Sequence, residues 1–108
     1  MKLHELKIKA EYMDAIALGR KTFELRKNDR DYQEGDLIKF NVVCDDGTIE
    51  TKDYSFTYDN KGDCRYFTTV DLNNELYKIT YVLKDVPQYG LDADYCILGI
   101  KRLELKEV

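Results

Sequence analysis

Residues 19–30 read GRKTFELRKNDR, and their parity decides which kind of fold the chain can build. The stretch holds five basic and two acidic side chains, in a chain whose formal net charge is -4. Within it KTFELR alternates at period two, with Phe23 and Leu25 on one side and Thr22, Glu24 and Arg26 on the other. That alternation predicts a strand with Phe23 and Leu25 in the core and the polar trio on the opposite face. Just upstream, Tyr12, Met13, Ile16 and Ala17 recur at helical spacing, with Glu11 in the first turn and Gly19 placed to end the helix. A helix over about residues 10–18 follows.

Working outward, LHELKIKA sets His4, Leu6 and Ile8 against Leu3, Glu5 and Lys7, as a strand with one mostly apolar face would. KNDRDYQEGD is rich in turn formers, and Glu34-Gly35-Asp36 predicts a tight turn into DLIKFNVVC, a strand with Ile38, Phe40 and Val42 on one face. Residues 45–74 alternate more weakly. Two turn signals there, DDGT and NKGD, predict a hairpin pairing TIETKDYSFTYD with CRYFTTV. NNELYKITYVL predicts a strand with Tyr77, Ile79, Tyr81 and Leu83 on one face. KDVPQYGLDAD is a loop with room for a short helical turn around the single proline. YCILGIKRLEL is apolar on both faces at first, as in a central strand, with Gly99 as the candidate bulge position.

One strand, one helix and then only strands define an α+β class, mainly β. The expected architecture is a small, mostly antiparallel barrel or strongly bent sheet with the early helix plugging one end, because closure removes exposed edges. At 108 residues, 44% hydrophobic and 35% charged, the chain is sized for one domain over residues 1–108 with a single core.

Composition excludes several function classes. No apolar run approaches the roughly 18 residues of a membrane span, and charges interrupt MKLHELKIKAEY as they do not in a secretory leader, so a cytoplasmic, membrane-free protein is expected. Cys44, Cys64 and Cys96 are odd in number, lack C-x-x-C spacing and accompany one histidine, which favours reduced thiols over a disulfide or a metal site. Cys44 and Cys96 lie in apolar surroundings and read as core, Cys64 as exposed. No cofactor is implied. The acidic balance argues against general binding to duplex DNA, so any nucleic-acid role is local, a pocket for a base or a few nucleotides.

The chemistry available to the basic stretch is specific. Glu24 and Arg26 share a strand face about 7 Å apart at their Cα atoms, and Lys21 stands at the strand's start. Lining one mouth, they would grip a nucleotide: Arg26 or Arg30 on phosphate, Glu24 on a base amino group, Lys21 on a carbonyl or phosphate. A desolvated Lys21 beside other cations would serve as base or nucleophile, with Glu24 moving protons. The plain alternative is that Glu24 and Arg26 pair with each other and Lys21 complements the helix dipole. Asn28 and Asp29 read as turn-stabilising residues. His4 reads as a hydrogen-bonded core histidine rather than a triad member. Tyr54, Phe56 and Tyr58, with Tyr66 and Phe67 on the partner strand, would cover the barrel's flank, stack unpaired bases or dock a protein.

The stretch HELKIKAEYMDAIALGRKTFELRKNDRDYQEGD resembles the opening of a family of small bacterial and phage domains of unknown function in the ASCH superfamily. The signature G-x-K-x-x-E-x-R is met by Gly19, Lys21, Glu24 and Arg26, and N-D-R-x-[FY]-x-x-G-D by Asn28, Asp29, Arg30, Tyr32, Gly35 and Asp36. ITYVL and YGLDADYCILGI resemble the closing strands, so the likeness covers roughly two-thirds of the chain by position. Residues 44–74 stand apart as a family-divergent hairpin, and Ala10 replaces the usual proline before the helix.

The resemblance implies a PUA-like β-barrel and RNA binding. Amidohydrolases of that superfamily, acting on acetylated cytidine, carry a threonine three residues after the lysine, where this chain has Glu24. The expected function is therefore an RNA- or modified-nucleoside-binding module using Lys21, Glu24, Arg26 and Arg30. The alternatives are a small nucleoside or RNA hydrolase with Lys21 and Glu24 catalytic, and a protein-binding regulator.

Overall fold

The computed structural model describes residues 1–43, 54–58, 63–67 and 75–103, the two middle segments by their backbone. In chain order the elements are β1 (Leu3–Lys9), α1 (Ala10–Ala17), β2 (Phe23–Lys27), β3 (Leu37–Val43), β4 (Tyr54–Tyr58), β5 (Asp63–Phe67), β6 (Leu76–Leu83), a 3-10 turn (Pro87–Tyr89) and β7 (Tyr95–Arg102). Five strands form one sheet in the order β1-β3-β6-β7-β2, and β4 pairs with β5. The class is α+β, mainly β, as the order of patterns predicts. No helix among the described residues is long and apolar enough to cross a membrane.

The chain divides into two compact units. The first comprises Met1–His4, Thr22–Ile38 and Leu76–Val108, and the second Glu5–Lys21 and Lys39–Glu75. In the second unit α1 starts where the chain leaves the extended conformation at Lys9 and buries Met13 and Ile16. Gly19, at a φ of 75°, ends it. The amides of Arg20 and Lys21 both donate to the Ala15 carbonyl at 3.0 Å, satisfying a helix-end acceptor. Leu6 and Ile8 of β1 and Phe40 and Val42 of β3 are buried at alternate positions, as their period requires.

The hairpin expected between residues 45 and 74 is present as antiparallel β4 and β5, in a register that opposes Tyr54 to Phe67, Phe56 to Arg65 and Tyr58 to Asp63. The expected surroundings of Cys44 and Cys64 and the roles of the hairpin aromatics lie outside the described residues.

In the first unit β7 pairs with β2 on one side and β6 on the other, both antiparallel. Cys96, Leu98 and Ile100 of β7 and Tyr77 and Ile79 of β6 form its buried face. Two expectations about faces fail here, for the same kind of reason.

The parity of β2 is as read, but its two faces are exchanged. Phe23 and Leu25 are 47% and 55% exposed, whereas Glu24 is buried. Register explains this, since directly opposed residues on antiparallel strands share a face. Glu24 is opposite Leu98 and Arg26 opposite Cys96, both fully buried, while Phe23 meets Gly99 and Leu25 meets Ile97.

On β6, Tyr77 and Ile79 are buried but Tyr81 and Leu83 are exposed. The register shifts between Ile79 and Tyr81, so Ile79 opposes Ile100 and Tyr81 opposes Gly99, with Thr80 as the inserted residue. One extra residue reverses the parity of everything after it. Gly99 suits the bulge, because a Cβ on it would stand 2.7 Å from the Thr80 Oγ1 and force that side chain to move.

Candidate functional site

The predicted site residues fall into distinct settings. Lys21 lies just beyond α1, half-buried, with its Nζ 5.0 Å from the centroid of the Tyr12 ring. That is a cation–π arrangement within the second unit. Glu24, Arg26 and Arg30 belong to the first unit.

Glu24 and Arg26 are brought together: the Arg26 Nε donates to the Glu24 Oε2 at 2.9 Å. The carboxylate side chain is 5% exposed and the guanidinium side chain 21%. Two residues apart on one strand, they share a face, and the ion pair is what lets a carboxylate sit among Leu98 and Cys96. Glu24 thereby fixes the direction of a guanidinium that still reaches solvent. Arg30 is exposed in the loop that follows.

That loop is shaped by backbone bonds. The Asn28 amide donates to the Asp94 carbonyl at 2.8 Å and the Asp29 amide to the Lys27 carbonyl at 2.9 Å. Asp31 takes a positive φ of 46°, a conformation aspartate tolerates better than most residues, and accepts from the Gln33 Nε2 at 2.8 Å. Chain reversal at Asp31 delivers Tyr32 into the interior, where it is almost wholly buried. Burial raises the Tyr32 phenol above its ordinary pKa of 10.0, against the opposing pull of Arg30 and Arg26 and with a further push from Asp29 and Cys96. The Cys96 thiol is likewise raised by burial, while Lys84 and Arg26 act against the rise. Tyr32, Arg26, Arg30, Lys84 and Cys96 thus share one electrostatic neighbourhood.

Beside it lies a cleft of about 460 Å³ lined by Tyr32, Gln33, Glu34, Val82 and Lys84. Tyr32 supplies an aromatic edge, Lys84 a cation, and Gln33 an amide able to donate and accept.

Asp36 anchors the wall of this cleft. Its carboxylate accepts from the Lys2 amide at 3.1 Å, the Gln33 amide at 3.1 Å and the His4 Nε2 at 2.9 Å. A carboxylate only accepts, so the His4 proton sits on Nε2. The His4 ring also packs at 58° against Tyr32, with centroids 4.7 Å apart. His4 is thus the hydrogen-bonded core histidine its strand position suggests. Burial pushes the Asp36 carboxyl up, but the bonds from His4, Lys2 and Gln33 outweigh it and hold its pKa below the ordinary 3.8. The turn itself closes through Gly35 at a φ of 91° and the Asp36 amide on the Gln33 carbonyl.

In the sequence Tyr32 stands out only as a signature position, and Gln33 and Lys84 carry no signal of a site. Tyr32 occupies the aromatic position of the N-D-R-x-[FY] pattern, which is the available signal, whereas Lys84 follows β6, which the Gly35 and Ile79 amides bond to the Tyr32 loop.

Over 37 residues the chain is 46% identical to the uncharacterized 12.9 kDa protein in GpA 3'region of Escherichia phage P2, a match covering 34% of this chain and 34% of that protein. The chain therefore spans about a third of that relative's length in the match. The broader match runs over residues 3–100, taking in β1, α1, the Glu24–Arg26 strand, the Asp36 turn and most of β7, and it places the chain in the family Domain of unknown function (DUF3850).

Proposed function

We propose that the protein is a binding module for a nucleotide-sized ligand, a modified nucleoside or a nucleotide at the end of an RNA, held in the Tyr32–Lys84 cleft. The observation that carries this is the buried Glu24 locked onto a partly exposed Arg26, with Arg30 and Lys84 in the same electrostatic neighbourhood. Two arginines and a lysine beside a phenol ring suit a phosphate and a base. In this reading Arg26 and Arg30 take phosphate, Val82 flanks the base above the buried Tyr32 at the cleft floor, Gln33 reads its edge, and Glu24 positions Arg26 instead of touching the ligand. Lys21 enters through the G-x-K-x-x-E-x-R signature alone. The same reading makes the family a branch of the ASCH superfamily, with a PUA-like barrel over residues 1–108 and a divergent hairpin at 44–74.

Calorimetric titration with a panel of nucleosides, nucleoside monophosphates and short RNAs tests it. Arg26→Ala and Arg30→Ala should each weaken binding by roughly ten-fold or more, the loss of a charge-assisted bond. If the intact protein binds no member of the panel, the reading is wrong. Turnover of an acylated nucleoside that Lys21→Ala abolishes would instead favour the hydrolase alternative.

A further inference from the structure

The exchange of faces on β2 leaves a surface that the cleft does not use. On the outer side of β2, β7 and β6 the register aligns Phe23, Gly99 and Tyr81 in one cross-strand row, and Leu25, Ile97 and Leu83 in the next. Tyr95 and Lys27 form the row beyond. Phe23, Tyr81 and Tyr95 are 47%, 59% and 42% exposed. The bulge puts both Thr80 and Tyr81 in solvent, and the Thr80 hydroxyl lies over Gly99, where no side chain competes for the space.

The charges on this face are of one sign. Its strand positions include the exposed Lys27, Lys78 and Lys101 and no carboxylate, in a chain of net charge -4. Lys78 and Lys101 are directly opposed in the β6–β7 register. Like charges at opposed positions destabilise a sheet, and a polyanion lying across them removes that repulsion. Neighbouring strands stand about 4.8 Å apart and alternate residues about 7 Å apart, so the three rings are spread over a span of two or three unstacked bases.

We infer that the outer face of the β2–β7–β6 sheet is a binding platform for an unpaired nucleic-acid strand, with bases stacking on Tyr81, Tyr95 and Phe23 and phosphates on Lys27, Lys78 and Lys101. Exposed aromatics that share their strand face with lysines suit a strand with a π-face at every base and a charge at every phosphate. This rests on a different surface from the cleft and stands or falls separately from it.

Fluorescence anisotropy with a labelled oligouridine of about 12 nucleotides, its deoxy counterpart and a duplex of similar length tests the platform. Both single strands should bind more tightly than the duplex, and a preference between them reports which nucleic acid is read. Tyr81→Ala/Tyr95→Ala should weaken single-strand binding about ten-fold or more. Lys78→Ala/Lys101→Ala should lower the slope of log affinity against log salt by roughly 1.4 while leaving the melting temperature unchanged or higher. Tyr81→Ala/Tyr95→Ala should leave binding of a nucleoside monophosphate in the cleft within about two-fold, so failure of the cleft and failure of the platform read out differently.

The proposal is overturned if no strand binds at low salt, or if the tyrosine and lysine variants bind as the intact protein does. It is equally overturned if light scattering shows a stable dimer that Leu25→Ser/Tyr81→Ser converts to monomer, since the face would then be a protein interface.

Discussion

At the residue scale, two buried carboxylates, Asp36 and Glu24, organise the first unit, each bonded to partners of its own. Asp36 ties the Lys2 amide, the His4 ring and the Gln33 amide to one point, and the Ile79 amide donates to its carbonyl at 2.8 Å. Its folded pKa is below the unfolded value, so its contribution is fully present above about pH 4 and is lost as pH falls through the lowered value. Asp36→Asn should therefore lower the melting temperature at neutral pH and remove part of the acid limb below about pH 4, read by thermal melts across pH. Glu24 makes the complementary case. Glu24→Ala removes the ion-pair partner of a largely buried guanidinium and should destabilise by about 3 kcal/mol in chemical denaturation, whereas Glu24→Leu/Arg26→Met should be nearly neutral. The double variant should nonetheless lose ligand affinity, which separates holding the fold from holding the ligand. His4 was legible from its place on the apolar side of LHELKIKA, but its partner Asp36 was not. The E-G-D turn advertises a turn residue, and only the fold carries that turn to β1.

At the element scale, period was legible and sign was not. The strand and helix patterns gave α1 to within a residue and put His4, Leu6, Ile8, Ile38, Phe40 and Val42 inside, where they are. In β2 the same rule gave the right parity and the wrong interior, because a paired Glu24 and Arg26 tolerate burial opposite Leu98 and Cys96 while edge-strand Phe23 and Leu25 face outward. Hydrophobicity ranks residues by average burial and carries no knowledge of a salt bridge at i and i+2. In β6 the apolar alternation runs unbroken across Thr80 in the sequence, whereas the register shifts there, opposite the candidate bulge position Gly99. The bulge makes a sharp prediction. Gly99→Ala should destabilise by about 1–3 kcal/mol through its clash with Thr80, and Thr80→Ala should restore most of that in a double-mutant cycle measured by denaturant unfolding.

At the scale of the whole molecule, charge is sorted by place. A chain of net charge -4 sets Arg26, Arg30 and Lys84 near Tyr32, with Asp29 and Glu34 beside them, and places lysines as the charged residues of the outer strand positions of β2, β6 and β7. Composition argues against a general basic field, and the G-x-K-x-x-E-x-R and N-D-R stretches lead into the loop that carries Tyr32 and Gln33. They did not reveal the cleft, since Tyr32 and Lys84 are 52 positions apart in the sequence and meet only through the sheet. Overall acidity also sets an expectation for salt: binding of a mononucleotide in the cleft should weaken only modestly with ionic strength, as few charges are neutralised. The measurement that tests the central claim most directly is a proton–nitrogen correlation NMR titration with nucleoside monophosphates. The amides of Tyr32, Gln33, Glu34, Val82 and Lys84 should shift together and saturably, and Arg30→Ala should suppress the shifts. If those amides stay still at millimolar ligand, or move identically in Arg30→Ala, the cleft is not the binding site.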